Sequence, residues 1–483
     1  MRNQEIDQAW EYHNRTKHSY ESIRRGVRSL DWDNQPLPFK IYSNLPPIFL
    51  PPPAERPDAE SLGLKQLAHL LHFSAGITQR RRGEILFRAA ACTGALYEIE
   101  LYLVCGPLPD LPADLYHFNP GDMGLRRLRE GDFRSLLAAA TAGEHSLVHA
   151  PVIVISAGTY WRNAWKYQAR TYRHFGWDNG TILANLLEVA EALGLPASLV
   201  CGFVDAEINH LLGLDTGREV SLSLASIGHT ESPVAPAPDE IPSLHLKTVP
   251  LSKLEVDYPA MQQMHAASSL STPEEVAAWR SSAEPLRSRD RQGAAPLPET
   301  IEQVIQRRGS SRQFVREPIS LAQLSTILEY ATRPIPADFL TPDDARLNDL
   351  YLIVNAVEGL EPGAYFYRAA DRALEPLKHG DFRSRAAYLA LEQDLAGDAA
   401  VAVFFLADLN RWLGRFGNRG YRAVQLEAGI LGGRIYLAAY AQQLGATGLT
   451  FYDDDVVQFF SPHAAGKSAV FLVAAGHPAR RPS

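Results

Sequence analysis

Three short stretches of this 483-residue chain hold residue types that chemistry needs. In QRRGSSRQFVREP (306–318), Arg308, Ser310 and Arg312 fall at i, i+2 and i+4 around a turn-prone Gly-Ser-Ser. Two guanidiniums flanking a hydroxyl form the donor set that an anion such as a phosphate monoester requires. A second stretch runs Trp165-Lys166-Tyr167-Gln168-Ala169-Arg170-Thr171-Tyr172-Arg173. Its Lys166 and Tyr167 can each move a proton if burial or neighbouring charge shifts them. The third, Arg88 to Tyr97, contains Cys92, Thr93, Gly94 and Ala95, followed by Leu96. A turn of small residues lets backbone N–H groups come close to a flat or anionic ligand. Cys92 has no evident base and reads as a small buried residue rather than a nucleophile.

These stretches lie far apart, and an internal repeat shows how they can share one site. GDFRS at 131–135 recurs at 380–384, a displacement of 249. The same displacement carries Leu115-Tyr116 onto Ala364-Tyr365, Tyr172-Arg173 onto Tyr421-Arg422, and Gly180 onto Gly429. Upstream it becomes 257, matching Leu64, Leu67, Leu70 and Leu71 with Leu321, Leu324, Ile327 and Leu328. Both sets have the spacing of an amphipathic helix packed on a core.

The repeat divides the chain into an extension (1–60), repeat one (61–245), a polar linker (246–298) and repeat two (299–483). The extension ends in LPPIFLPPPAERP, which reads as a polyproline-II-like strap, and one helix is expected in the linker. Within each repeat, β-rich runs such as VIVIS (152–156), VAVFFLA (401–407) and AVFLVAAG (469–476) alternate with helical patterns. Long helices are expected near 179–193 and 424–443, and Thr300/Gln303 and Ser320/Gln323 are capping-box signatures. The pattern belongs to the mixed classes, and α+β, with one helix-covered sheet per repeat, is the reading taken.

Composition narrows the function. Apolar residues make up 46% and charged residues 21%, as in soluble globular proteins. A net charge of −8 without a basic run argues against nucleic acid or an anionic membrane as the main partner. Three cysteines without C-x-x-C spacing, and a polar N-terminus, favour a cytoplasmic location and offer no metal site. The GILGGR run (429–434) suits close helix packing better than phosphate binding. Asp178 and Glu427 read as core or helix-end hydrogen-bonding residues.

The two copies are complementary rather than identical. Counting back 257 from Arg308 reaches Pro51, so repeat one lacks the arginine cradle. Repeat two has RPIPADFLTPDDARLN where repeat one has its small-residue turn, and Arg415-Phe416 where repeat one has Lys166-Tyr167. Arginine stays charged and phenylalanine has no proton to give, so the proton-transfer pair survives in one copy.

On these residues the chain resembles the nitroreductase-like flavoprotein superfamily, and within it tandem SagB-type (thiazole/oxazole-forming) dehydrogenases. Arg308, Ser310 and Arg312 match an R-x-S-x-R motif, with Phe314 as its following aromatic. Residues 88–98 resemble R-A-A-P-S-x-G-A-L-Y-P, with Ala91, Cys92 and Glu98 departing from it. Lys166-Tyr167 resembles a Lys-Tyr pair ahead of Y-R, and LYLIVNAVEGLEPGAYFY and GATGLTFYDDD also look like family sequence.

The resemblance implies a tandem duplication of the nitroreductase-like fold, folded as an intrachain pseudo-dimer, with one FMN per chain. Arg308, Ser310 and Arg312 would take its phosphate and nearby flavin atoms, and Cys92–Leu96 would contact it from the other side. Asn355, Gly448 and Leu449 would edge the ring, with Arg480 as a further phosphate contact. The implied reaction removes a carbon-bound proton from an azoline-like or other C–N substrate, with Lys166 or Tyr167 as base and hydride passing to flavin N5. The implied substrate is a small molecule or a peptide, a cyclodehydratase and precursor peptide are candidate partners, and a further homodimer stays open. An NAD(P)H-dependent nitro or quinone reductase, and a flavin-free binding or scaffold protein, stand as alternatives.

Overall fold

A computed structural model describes residues 2–26, 29–53, 56–58, 62–81, 85–231, 234, 236, 240–280, 298–342 and 345–479. The apolar runs of each repeat form one antiparallel sheet. In repeat one the strand order is Pro47–Phe49, Gly124–Glu130, Asp114–Asn119, Ile99–Cys105, Val152–Thr159, Glu219–Ile227 and Ala197–Val200. In repeat two it is Ala373–His379, Gly363–Arg368, Asp349–Val354, Val401–Ala407, Ser468–Gly476 and Gly445–Gly448. Leaving aside the first edge strand, the two sheets have the same topology, and the chain is a tandem duplicate of one α+β unit.

The likeness reaches local irregularities. Pairing slips between Leu115 and Tyr116 in one sheet and between Ala364 and Tyr365 in the other. It slips again between Ser156 and Ala157, and between Phe405 and Leu406. Each pair is 249 apart, the displacement of the sequence repeat. Bulges fix strand register and twist, so their recurrence marks copying of a backbone rather than of an apolar pattern.

The proline strap differs from its expectation. Pro47–Phe49 pairs with Gly124–Glu130 as an edge strand, where a missing proline N–H can face outward. Among its described residues the linker holds two helices, Pro259–Ala267 and Pro273–Trp279, each with proline at its start, where a lost N–H costs nothing. Both capping boxes form, at Thr300/Gln303 and Ser320/Gln323.

The long helices are Thr171–Ala192 and Arg419–Ala441. They begin earlier than the apolar pattern suggests because their first turns carry buried arginines. The helices run side by side in the same direction with equivalent residues facing. A β-carbon on Gly180 would fall 2.6 Å from the Gly429 backbone, and one on Gly433 would fall 2.7 Å from Ala184 Cβ. The GILGGR run therefore does serve close packing.

Reciprocal ion pairs close this junction. Arg170 and Arg173 reach Asp453 of repeat two at 3.2 and 2.6 Å. Their equivalents, Arg419 and Arg422, reach Asp205 of repeat one at 2.6 and 2.7 Å. Self-complementary contacts of this kind define a two-fold interface, here built inside one chain. The extension caps it: the Tyr12 ring, on helix Asp7–Arg15, lies 5.7 Å from Tyr172 and 5.9 Å from its equivalent Tyr421.

Candidate functional site

The two units meet around a cavity of about 430 Å³, within the roughly 300–1,000 Å³ of small-molecule sites. All three chemistry-bearing stretches reach it. Repeat one contributes Cys92, Thr93, Gly94, Ala95, Lys166 and Tyr167, and repeat two contributes Arg308, Ser310, Arg312, Gly448 and Leu449. A second cavity of about 470 Å³ lies beside Lys40, Arg162 and Glu219, and none of the three stretches lines it.

Three expected residues stand apart. Leu96 is buried behind the turn. Asn355 is not among the lining residues; its Nδ2 donates to the carbonyls of Ala396 and Ala399, each at 3.0 Å, and so anchors a loop. Arg480 lies outside the described residues.

Repeat two supplies donors. The Arg308 guanidinium is buried and crosses to repeat one, donating from Nε to the Ala89 carbonyl (2.8 Å) and from Nη2 to that of Arg88 (2.7 Å). It fastens the turn as well as lining the cavity. Arg312 is exposed and has no hydrogen-bond or ion-pair partner among the described residues. Ser310 Oγ lies 3.3 Å from the Tyr436 hydroxyl, which accepts from the Gly448 N–H at 2.6 Å. Thr450 Oγ1, on the same wall, is out of solvent without a hydrogen-bond partner among the described residues.

Repeat one supplies the turn and the proton-active groups. Gly94 is left-handed, at φ +63°, and a β-carbon there would lie 2.8 Å from the Tyr167 hydroxyl, so only glycine fits. Asp178 holds the turn, accepting from the Thr93 N–H at 2.9 Å, Thr93 Oγ1 at 2.9 Å and Cys92 Sγ at 3.2 Å. Glu98 lies 3.4 Å from the same sulfur and accepts from Asn163 Nδ2 at 3.0 Å. Burial, and then the charge of Glu98, push the Asp178 carboxyl well above the usual range. Burial also raises the Cys92 thiol, which stays protonated.

The two candidate bases diverge. Burial, followed by the charge of Asp178, raises the Tyr167 phenol, keeping it a hydrogen-bond donor. Partial desolvation at the cavity wall, followed by the Arg312 charge, lowers the Lys166 ammonium, bringing its free-base form closer to neutral pH. Lys166 sits exposed at the mouth of the cavity.

A chain of rings forms one wall. Tyr167 and His174 lie 4.7 Å apart, His174 and Trp177 4.8 Å, and Trp177 and Phe471 5.0 Å. Sequence reasoning missed His174, Trp177 and Thr181, and it gave Asp178 only a core or helix-end hydrogen-bonding role. These four form a stripe on one helix face starting seven residues after Tyr167, a spacing that could have flagged them. His18 of the extension also lines the cavity, its imidazole held neutral by burial with a pKa lowered to about 3. No motif marks it.

The equivalent position on the other side of the junction is closed. The counterparts of Trp177, Leu449 and Phe471 are Leu426, Cys201 and Leu222, which line a space of only about 20 Å³. The Asp338 carboxylate accepts from the N–H groups of Cys201 and Gly202, each at 2.8 Å. Trp279, from the linker, packs 5.2 Å from Phe416 and donates to its carbonyl at 2.9 Å.

Known proteins agree with this architecture. A crystal structure from Anabaena variabilis, of a protein described as a nitroreductase, superposes with a TM-score of 0.81 at 27% identity. The match covers 98% of this chain and 99% of that one, so the tandem arrangement recurs there. A Methanocaldococcus jannaschii protein whose name places it among the nitroreductases is 27% identical over 167 residues, 35% of this chain and 81% of its own. A chain of the Escherichia coli microcin synthetase McbBCD complex aligns with 46% of this chain, and 87% of its own, at 20% identity and a TM-score of 0.32, too low to carry weight. The profile of the nitroreductase family matches residues 88–229 and 305–477, one segment in each repeat and well over half of the residues. The chain belongs to the nitroreductase family.

Proposed function

We propose that this protein is an FMN-dependent oxidoreductase of the SagB type, oxidising an azoline-like or other C–N substrate at one site per chain. The observation that carries the reading is the joining of Lys166 and Tyr167 with the arginine cradle across the repeat junction. The residues fit the cofactor. An unpaired Arg312, an orphaned Thr450 hydroxyl, the Gly94 turn and the aromatic wall supply anion donors, a polar contact, close backbone approach and a flat apolar surface.

When bound, the flavin supplies two-electron chemistry by accepting hydride. Arg312, with Ser310, Thr450 and the open Nη1 of Arg308, would hold its phosphate and polar edges. The Cys92–Ala95 turn, braced by Asp178, would hold the opposite side. Lys166 takes the carbon-bound proton, since its charged form is the one its surroundings disfavour. Tyr167 donates a hydrogen bond that orients the substrate. His18 and the aromatic wall exclude water from the interior.

Visible absorption of the purified protein is the first test. A protein that emerges colourless and stays so after incubation with FMN overturns the reading. Turnover of an azoline-containing peptide, lost in Lys166→Met with flavin retained, supports it. Rapid bleaching by NADPH under nitrogen, with no azoline oxidation, points instead to the reductase activity that the names of its relatives suggest.

A further inference from the structure

Away from the cavity, the β-sheet register of repeat one gathers three histidines and a glutamate. Strand Val152–Thr159 pairs with Glu219–Ile227 so that Val152 faces Ile227. Continuing that pairing outward sets His149, three residues before Val152, against the segment just beyond Ile227. The Thr230 N–H donates to the His149 carbonyl at 2.8 Å, which holds the two segments together. Gly228 turns the chain there, left-handed at φ +79°, and its N–H is tied to the Pro196 carbonyl at 2.8 Å.

On this frame the ligating atoms of His149, His229 and Glu231 all lie within 4.8 Å of one another. The His229 and His149 rings are 5.2 Å apart, and His229 Nε2 is 2.7 Å from the Glu231 carboxylate. His145, one helical turn before His149, brings a third imidazole whose ring centroid is 4.9 Å from that of His149. Its helix is anchored, because Glu144 caps it and pairs with Arg280 at 3.2 Å.

Three imidazoles and one carboxylate are a borderline-soft ligand set with four arms, suited to tetrahedral zinc and its neighbours rather than to calcium or magnesium. The side chains are half-buried to exposed, so small rotations can bring them to ligating distance without moving the backbone. The sister copy carries Asp394, Asp398 and Pro478 at the positions of His145, His149 and His229, so the set exists once per chain.

We infer that His145, His149, His229 and Glu231 form a surface site for a divalent transition metal of the zinc class. Bound there, the ion would clip the helix before one core strand to the tail leaving its neighbour. Metal ligands must be unprotonated imidazoles, so occupancy falls as pH drops below the histidine range.

Calorimetric titration of the tag-free, full-length protein as purified, with zinc chloride, tests this. One ion bound per chain near neutral pH is expected, weakened by at least tenfold in His149→Ala/His229→Ala and by more than tenfold on lowering the pH from about 7.5 to about 5.5. Among the described residues, Cys92, Glu98 and Asp178 also bring metal-capable atoms together, and a Cys92→Ala variant made there should bind as the parent does. The double variant alters surface side chains only, and its unfolding midpoint without zinc should match that of the parent. Zinc bound equally by parent and double variant, zinc binding lost in Cys92→Ala instead, or no binding at about 100 µM zinc, far above the dissociation constants of zinc sites, overturns the inference.

Discussion

The chain contains the same pocket position twice, and the two positions have opposite fates. Backbone topology, bulges and reciprocal arginine–aspartate pairs are shared by both copies. One position holds about 430 Å³ of space lined by proton-active and cationic groups. The other leaves only about 20 Å³, and there the Asp338 carboxylate occupies the N–H groups of Cys201 and Gly202. The symmetric parts are those that hold the units together, and the asymmetric parts are those that meet a ligand. Asp338 makes the contrast concrete: its carboxylate takes the N–H groups of Cys201 and Gly202, whose counterparts Leu449 and Thr450 line the open cavity.

Exchanging or removing groups at paired positions should separate the two roles. The largest effect is expected from Lys166→Met, which should cut turnover by about 10² to 10⁴ while leaving flavin content unchanged. The mirror change, Arg415→Met, should alter neither, as steady-state kinetics and visible absorbance can show. Because the Lys166 ammonium is destabilised, the parent rate should rise with pH through its lowered pKa and then level off. That rise should vanish in Lys166→Met.

The shared frame should respond symmetrically. Asp453→Asn and Asp205→Asn each strand two buried arginines, and each should cost about 3–5 kcal/mol in urea unfolding. Asp205 is a carboxyl whose pKa is lowered to about 2 by Arg419 and Arg422 against burial. Its folded pKa lies below its unfolded value, so its contribution is present above pH ~4 and disappears as pH falls towards ~2. The Asp205→Asn variant should lose that part of the acid dependence.

Arg312→Ala should weaken FMN binding by about 10- to 100-fold, in line with the ~1.5–3 kcal/mol of a charged hydrogen bond. Its unfolding curve should match that of the parent, since Arg312 has no hydrogen-bond or ion-pair partner among the described residues. The smallest effect concerns the residue after Tyr167. Gln168 adopts φ 52° and ψ −140°, a conformation its counterpart Gly417 occupies at φ 65° and ψ −159°. Gln168→Gly should therefore stabilise the fold by about 1 kcal/mol. Gly417→Ala should destabilise it, since a β-carbon there meets the Asn3 carbonyl.

Much of this was legible in the sequence because duplication leaves a fixed displacement wherever backbone geometry constrains residue type. GDFRS, the Tyr-Arg pair and Gly180/Gly429 all mark turns or contacts that tolerate little change. The cradle, the Lys-Tyr pair and the small-residue turn were visible as chemistry out of place, and they do line one cavity. What escaped detection depends on tertiary neighbours. Asn355 sits in a family-like segment, yet its amide is spent on loop carbonyls. Arg308 reads as an anion ligand, yet two of its nitrogens are given to the turn. His18 has no motif, and only the path of the extension over the junction brings it to the cavity. The strap read as polyproline because composition cannot reveal an available sheet edge.

Tyr12 touches equivalent tyrosines of both repeats at nearly equal distances, which puts the Asp7–Arg15 helix close to the pseudo-two-fold axis. An object on such an axis can be present only once and must leave it towards one side or the other. This chain leaves towards the open cavity, reaching it at His18. A homodimer would supply two competing extensions and no rule for choosing between them. Fusing the halves makes the molecule asymmetric, so a single N-terminal segment can distinguish two sides that the sheets themselves make alike.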